Sequence, residues 1–265
     1  AEGPAQRPAA RTIARAQGRL AFDNVTFAYP GATPAIRAVS FEIPPGRMLA
    51  LIGPPGAGKS AIARCAARLE DPAEGAVLLD GIDLRELTLE SVAAAIAIMG
   101  DEPALFTGSV RDNLLYARPG ATESRIAEAA KAAQVHDAVL ALPTGYETAV
   151  GAGGIELDRS MRARLTIARL LLRDPAVIVL DEASGNPAPD APMQRAIAAL
   201  LRGRTSIVTA RRAHTLHQAD QILVLDAGRA VETGTHADLV RAGGRYARLY
   251  RERFALGPRL ADVIA

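Results

Sequence analysis

The chain has 265 residues, 49% hydrophobic and 4% aromatic, so it can build one large domain, or a domain with a subdomain, around a mainly aliphatic core. A formal net charge of +2 is too small to indicate nucleic acid as the main partner. The single cysteine, Cys65, excludes an internal disulfide, and the lack of a run of about eighteen apolar residues excludes a membrane span within this sequence.

The two ends of the chain differ in composition from the middle. Residues 1–19 are rich in Ala, Pro and Arg and are predicted to form a linker or extension. The chain starts with Ala1 rather than Met, which indicates a piece of a longer polypeptide or a processed product. We expect one domain over residues 20–255 and a tail of unassigned role over residues 256–265.

Nine segments have the composition of strands, and several are short and apolar, as is typical of strands covered on both faces. The predicted strands are Leu20–Phe27, Ala38–Ile43, Met48–Ile52, Ala76–Leu79, Ile96–Met99, Ala176–Leu180, Ser206–Thr209, Gln221–Leu225 and Ala230–Glu232.

Between Phe106 and Asp174 the strand signals stop and helical patterns take over. The predicted helices there are Val110–Tyr116, Glu123–Ala133, Val135–Ala141 and Leu157–Arg173. Because predicted strands lie before and after this helical stretch, the sequence predicts an α/β core made of residues 20–100 and 174–255. An all-helical subdomain is predicted to be inserted over residues 101–173.

The segment from Gly53 to Ser60, Gly-Pro-Pro-Gly-Ala-Gly-Lys-Ser, matches the phosphate-binding pattern G-x-x-x-x-G-K-[ST] without a mismatch. Its glycines let backbone N–H groups turn inward onto phosphates, Lys59 reaches the β- and γ-phosphates, and Ser60 offers its hydroxyl to Mg²⁺. The predicted strand before the loop and a helix from about Ser60 to Leu69 after it disfavour a chance match. The predicted phosphate-binding residues are Gly53, Gly56, Ala57, Gly58, Lys59, Ser60 and Ala61.

A second apolar strand ends in two carboxylates, Asp181 and Glu182. Asp181 is placed to support Mg²⁺ through water, and Glu182 to orient or activate a water for attack on a γ-phosphate. A capping pair at a strand end is the alternative, which the phosphate-binding loop in the same chain disfavours.

From about Arg19 to Phe254 the chain resembles the nucleotide-binding domain of ABC transporters of the exporter class. Besides the two motifs above, the matching segments are Val25–Gly31, Glu102–Phe106, Gly108–Asn113, Leu142–Tyr146, Gly151–Gly154, Ile167–Arg169, Leu172–Pro175, Leu225–Arg229 and Gly234–His236. The resemblance implies a P-loop NTPase (RecA-like) core with an antiparallel β subdomain, ATP and Mg²⁺ as ligands, and Tyr29 stacking on the adenine. It further implies a transmembrane domain and a second nucleotide-binding domain as partners, at the cytoplasmic face of the inner or plasma membrane.

The family signature, usually L-S-G-G-Q, aligns with Leu157-Asp158-Arg159-Ser160-Met161. In the family this signature holds the ATP of the opposite domain. Asp158 therefore either points a negative charge toward the γ-phosphate of a partner's ATP, or simply caps the helix that follows, and both can hold. Arg159 fills space that a glycine leaves open.

Four further places in the sequence depart from the family pattern. Asp101 replaces the glutamine that approaches the nucleotide, although it can still bind Mg²⁺ through water, and Arg211 replaces the switch histidine. An arginine can hold a γ-phosphate but cannot shuttle a proton near neutral pH; His214 is a weak substitute, three residues late. The dimer-facing D-loop is replaced by residues 185–190, and the acidic position before Val150 is Ala149.

These observations favour the ATP-binding domain of an exporter half with weak hydrolysis and a different, less altered partner half. Two alternatives stay open. One is an active, ATP-hydrolysing homodimeric exporter in which Asp101 and Arg211 suffice for catalysis. The other is a non-catalytic scaffold or regulator that uses nucleotide as a structural ligand.

Overall fold

A computed structural model describes residues 4–100, 104–181 and 190–255. The strands are β1 (Leu20–Phe27), β2 (Ile36–Ile43), β3 (Met48–Ile52), β4 (Glu74–Leu79), β5 (Ile82–Asp83), β6 (Ile96–Met99), β7 (Gly108–Ser109), β8 (Ala149–Val150), β9 (Val177–Leu180), β10 (Thr205–Thr209), β11 (Gln221–Asp226) and β12 (Arg229–Gly234). The α-helices are α1 (Lys59–Ala66), α2 (Leu89–Ala95), α3 (Val110–Leu115), α4 (Glu123–Ala132), α5 (His136–Leu140), α6 (Arg159–Arg173), α7 (Ala191–Leu201), α8 (Ala213–Gln218), α9 (His236–Ala242) and α10 (Arg245–Tyr250).

The main sheet has six strands in the order β12-β11-β3-β10-β9-β6, and only the edge strand β12 runs antiparallel to its neighbour. Every residue of β9 and β10 is buried, which explains the continuous apolar sequence of β9. Because the other five strands are parallel, their carboxyl ends meet at one edge of the sheet. That edge is where an α/β fold of this kind binds its ligands.

A second, antiparallel sheet has the order β2-β1-β4-β5. Phe22 and Phe41 stack across β1 and β2 with ring centroids 4.5 Å apart. Ile62 of α1 and Leu49 of β3 belong to the same hydrophobic cluster as these rings, so α1 packs where the two sheets meet. The predicted α/β core with an antiparallel subdomain is confirmed.

The insertion is helical over α3 to α6, but it is not all-helical as predicted. The two-residue strands β7 and β8 pair antiparallel, with Gly108 opposite Val150 and Ser109 opposite Ala149. Strands of two residues are too short to produce an alternating pattern, so no periodicity in the sequence indicates them. A separate hydrophobic cluster, which includes Leu114, Ile126 and Leu165, joins α3, α4 and α6.

The segment before β1 lies against the antiparallel subdomain. Arg11 forms a parallel bridge with Leu87, and the side chain of Gln6 accepts a hydrogen bond from the backbone N–H of Leu89. The carboxylate of Asp80 accepts hydrogen bonds of 2.7, 3.0 and 2.8 Å from the backbone N–H groups of residues 17, 18 and 19. This segment, assigned to a linker by its composition, is thus held to the domain by backbone contacts.

A third cluster lies on the other face of the main sheet and joins it to the C-terminal helices. It contains Ile52 of β3, Ala210 after β10, and Tyr246 and Leu249 of α10. Within the described ranges, none of the helices is long and apolar enough to cross a membrane.

Candidate functional site

The loop between β3 and α1 has no space for a side chain at two of its glycines. A Cβ on Gly53 would lie 2.3 Å from the carbonyl oxygen of Leu225. Gly58 has φ +101°, and a Cβ there would lie 2.6 Å from both the carbonyl oxygen of Ala35 and Cγ2 of Ile36. The glycines of the motif therefore let the loop pack closely against β11 and the start of β2.

The N-terminus of α1 is open to an anion. Gly58 is its N-cap, no side chain caps it, and its first turn carries no acidic residue. Among the residues that the structure describes, no side-chain carboxylate therefore caps the backbone N–H groups at the positive end of this helix dipole. Ser60, in this first turn, is exposed, whereas Ala57 and Ala61 are buried and anchor the loop to the core.

Lys59 crosses back over the loop. Its Nζ donates hydrogen bonds of 2.9 Å to the carbonyl oxygens of Gly53 and Pro54. Burial lowers the pKa of Lys59, and the positive charges of Arg253 and Arg211 lower it further, while Asp181 opposes them. A phosphate would supply a negatively charged partner for this ammonium group, whose bonded partners in the loop are neutral carbonyls.

The carboxyl end of β9 places Asp181 beside the loop. Its backbone N–H donates to the carbonyl oxygen of Met99 at 3.0 Å, and its Oδ1 accepts a 2.7 Å hydrogen bond from Oγ1 of Thr209. Since β10 lies between β3 and β9, Thr209 bridges the strand that precedes the loop and the strand that carries the carboxylate. Thr209 was not among the site residues predicted from the sequence. Its position at the end of a predicted strand, two residues before Arg211, could have indicated that it lies there.

Tyr29 lies on the loop that follows β1 and is 38% exposed. Its ring contacts Phe27 edge-on, with centroids 4.9 Å apart. The same loop ends at Ala35, whose carbonyl oxygen lies against Gly58, so the tyrosine loop and the phosphate-binding loop are in contact. The exposed ring is available for stacking.

Asp158 caps the fifteen-residue helix α6. Its Oδ1 accepts a 2.7 Å hydrogen bond from the backbone N–H of Met161, and the first turn of α6 contains no other acidic residue. The capping role predicted for this residue is confirmed. The helix terminus that would face a partner's phosphate is therefore already occupied by a carboxylate.

Several predicted site residues cannot be placed. Asp101, Glu182 and residues 185–189 of the altered D-loop lie outside the described residues. Arg211 is described and exposed, and its charge acts on Lys59. His214 is exposed on α8, and Ala149 lies in β8. The parts of the chain that the structure describes contain no group of three or more His, Cys, Asp or Glu residues that could hold a metal ion.

Cys65, on α1, is buried, and burial raises the pKa of its thiol to about 12. It is therefore a small core residue rather than a reactive thiol.

The sequence model of the ABC transporter family matches residues 36–185, more than half of the chain. Among related proteins, the heavy metal tolerance protein of Schizosaccharomyces pombe is 38% identical over 261 residues, covering 97% of this chain and 31% of that protein. The mycobactin import ATP-binding/permease protein IrtA of Mycolicibacterium thermoresistibile is 43% identical over 235 residues, covering 88% of this chain and 26% of that protein. The ATP-dependent lipid A-core flippase of Shewanella oneidensis is 41% identical over 248 residues, covering 92% of this chain and 41% of the flippase.

The chain thus spans well under half the length of these relatives. A solved structure of a bacterial Atm1-family ABC exporter with ATP bound is similar to this fold, with a TM-score of 0.86 at 37% sequence identity. The similarity covers 96% of this chain and 45% of that exporter.

Proposed function

The chain belongs to the ABC transporter family, as a nucleotide-binding domain of the exporter type, and on this premise we propose that it binds MgATP and gates or powers transport through an associated membrane domain. The observation that carries the proposal is the phosphate-binding loop. Within the described residues, no side chain caps the backbone N–H groups at the start of α1. The Nζ of Lys59 lies over the same loop, bonded to the carbonyl oxygens of Gly53 and Pro54. Family membership itself implies ATP binding.

The residues present fit the nucleotide. Gly58 lets the loop pack against Ala35 and Ile36, and Lys59 places a cation on the loop carbonyls of Gly53 and Pro54. We assign adenine stacking to Tyr29, and Mg²⁺ binding to Ser60, Asp181 and Asp101. When bound, Mg²⁺ would neutralise charge on the β- and γ-phosphates. Thr209 holds the carboxylate of Asp181 in place.

Hydrolysis is proposed to be slow, because the parts that complete a catalytic dimer are altered. The carboxylate of Asp158 accepts a hydrogen bond from the backbone N–H of Met161. The N-terminus of α6 therefore presents a carboxylate at the place where the family presents a serine and glycines to the ATP of the partner domain. Two like unit charges ~4 Å apart repel by about 4 kcal/mol at an effective dielectric near 20, an upper bound for an exposed residue. In a dimer this penalty acts on the site of the opposite domain.

In its own site, the chain has Glu182 as the proposed base and Arg211 in place of a histidine. An arginine at this position can hold a γ-phosphate, but it cannot take up and return a proton as a histidine can. We therefore propose tight ATP binding with a turnover well below that of ordinary transport ATPases.

The proposed partners are a membrane domain and a second nucleotide-binding domain, at the cytoplasmic face of the membrane. IrtA, which is named an ATP-binding/permease protein, and the lipid A-core flippase are about two to four times as long as this chain, which supports an associated membrane domain. A second domain that differs from this one and has an unaltered signature would supply contacts to ATP that Asp158 and Arg159 do not supply.

The test is a MgATP titration of the full chain by calorimetry, followed by a hydrolysis time course on the same preparation. Lys59→Ala is the binding control and Glu182→Gln the control for catalysis. We expect saturable ATP binding that Lys59→Ala abolishes, with hydrolysis barely above the Glu182→Gln background.

Each alternative predicts a different result. Turnover at ordinary ATPase rates that Glu182→Gln abolishes would indicate the active homodimeric exporter. For the scaffold, Lys59→Ala would remove the stabilisation by ATP but leave transport by the complete exporter unchanged. A chain that shows no saturable ATP binding would refute the proposed function altogether.

A further inference from the structure

Strand β10 has a threonine at each end, and the side chains of both are buried. Thr205 is 0% exposed and Thr209 is 2% exposed. A buried hydroxyl group destabilises the folded chain unless it is hydrogen-bonded. Oγ1 of Thr205 accepts a 2.9 Å bond from the backbone N–H of Gly46, whereas Oγ1 of Thr209 donates to Oδ1 of Asp181 at 2.7 Å. Of the two, Thr209 lies at the carboxyl end of the parallel strands, where the phosphate-binding loop begins.

The register of the main sheet brings this hydroxyl to the carboxylate. Strands β9 and β10 are parallel, with Val208 opposite Leu180, so Thr209 and Asp181 are the next neighbours along the two strands. Neighbouring residues in register point to the same face of a sheet. The contact is therefore set by strand pairing, which is among the most rigid features of the fold.

Backbone hydrogen bonds hold this pair from both sides. The N–H of Asp181 donates to the carbonyl oxygen of Met99 on β6 at 3.0 Å, and the N–H of Ala210 donates to that of Leu51 on β3 at 2.9 Å. Leu51 lies two residues before Gly53, the first residue of the loop. Strand β10 thus fixes the carboxylate of Asp181 relative to the strand that leads into the loop.

The bond from Thr209 also orients the carboxylate group. Its acceptor is charged, and such bonds are shorter and stronger than those between neutral groups. An aspartate side chain can otherwise rotate about two torsions, and a bond to Oδ1 favours one of its orientations. Because the hydroxyl engages Oδ1, the bond leaves Oδ2 for a water molecule bound to Mg²⁺. This arrangement suits the role assigned to Asp181, which is to support Mg²⁺ through water.

We propose that Thr209 is a positioning residue for the Mg²⁺ side of the nucleotide site, which orients the Asp181 carboxylate and thereby sets how much Mg²⁺ adds to the affinity for ATP. The inference rests on the proposed function. Thr209 is assigned no contact with the nucleotide, so ATP without Mg²⁺ should bind independently of its hydroxyl. A purely structural role for this hydroxyl would change folding stability and leave the metal dependence of ATP binding as it is.

The experiment compares wild type, Thr209→Val and a matched control, Thr205→Val, in the full 265-residue chain. Valine has nearly the shape of threonine but no hydroxyl, and the control makes the same change at the other buried end of the same strand. MgATP, and ATP in excess EDTA, are titrated separately by calorimetry. Thermal melting without nucleotide checks that each variant is folded, and Thr209→Ala is a second variant without the hydroxyl.

We expect Thr209→Val to weaken MgATP binding about three- to tenfold and ATP binding in EDTA less than about twofold. Thr209→Ser, which keeps the hydroxyl, should recover most of the MgATP affinity. Thr205→Val should bind both forms of the nucleotide as wild type does, although it loses the bond to Gly46.

A double-mutant cycle with Asp181→Ala tests whether the hydroxyl acts through the carboxylate. In that background Thr209→Val should have no further effect on MgATP affinity, because the group it orients is gone. The cycle needs only MgATP, so it decides the question even where ATP in EDTA binds too weakly to measure.

A folded Thr209→Val chain that binds MgATP as wild type does, or that loses affinity equally with and without Mg²⁺, would overturn the role of Thr209. A loss that persists in full beside Asp181→Ala would do the same. If wild type binds ATP and Lys59→Ala does not, such results leave the proposed function standing and remove this inference alone. If wild type does not bind ATP, both fail.

Discussion

Substitutions of Asp158 separate the two effects of this residue, the capping of α6 and the negative charge at the end of that helix. Asp158→Asn keeps a good capping side chain and removes the charge, whereas Asp158→Ala removes both. Losing the bond to the N–H of Met161 costs about 1 kcal/mol, and losing a carboxylate at a helix N-terminus costs about 0.3–1 kcal/mol more. Since α6 has no other acidic residue in its first turn, nothing there compensates.

The free energy of unfolding should therefore fall by about 1–2 kcal/mol in Asp158→Ala and by about 0.5 kcal/mol in Asp158→Asn. Urea denaturation followed by far-UV circular dichroism, without nucleotide, measures both values. An Asp158→Ala chain as stable as the parent would refute the capping role.

The effect of the Asp158 charge on dimerisation is measured by ATP-dependent self-association. A symmetric dimer contains Asp158 at both sites, and each exposed charge costs about 1 kcal/mol after screening, so the dimer gains about 2 kcal/mol when both are removed. In a Glu182→Gln background, MgATP should therefore dimerise Asp158→Asn with a dissociation constant about 30-fold lower than that of its parent.

Light scattering at increasing protein concentration measures this constant. Arg159 stays in both chains, so any difference between them belongs to residue 158. If Asp158→Asn and its parent associate equally, the charge is not what disfavours the dimer.

Gly58→Ala should destabilise the chain by about 2–4 kcal/mol, because the new Cβ would meet Ala35 and Ile36 at 2.6 Å, while Gly56→Ala, at φ +76° in open space, should cost about 1 kcal/mol. Equal denaturation midpoints for the two variants would contradict this reasoning. ATP at 100 times its dissociation constant should stabilise wild type by about 2.7 kcal/mol, seen as a raised melting temperature, and Lys59→Ala should show no such rise. Burial, and then the neighbouring His217, lower the pKa of His236. Because the unfolded chain then binds protons more readily, stability should be complete above about pH 6.5 and decline below it. His236→Gln should reduce this decline in denaturation curves taken across that range, and an unchanged pH dependence would exclude His236 as its source.

The sequence predicted the elements whose structure depends on local pattern. Strands β1, β3 and β6 have the predicted bounds, because each is a short apolar or alternating run with a clear end. The phosphate-binding loop was equally visible, since its glycines, lysine and serine are consecutive in the chain. These signals were sufficient to identify the family, whereas the residues expected to hold the phosphates stay a prediction.

Other features depend on contacts between distant parts of the chain. The pairing of β7 with β8 joins residues about forty positions apart, and two-residue strands leave no periodic trace. For Asp158 the sequence left open a cap or a charge toward a partner. The bond to Met161 establishes the cap, because backbone geometry at a helix start determines which N–H groups a side chain reaches.

The sequence by itself determined that this chain folds around a phosphate-binding loop and which family it belongs to, because those properties are written in short, contiguous patterns. The tertiary structure decided what surrounds the loop. It brought Thr209 to Asp181 and placed Leu249, near the end of the described chain, in one hydrophobic cluster with Ile52, which directly precedes the loop. Such proximities arise from the pairing of β9 with β10 and from the packing of the C-terminal helix on the sheet, and no local pattern encodes them.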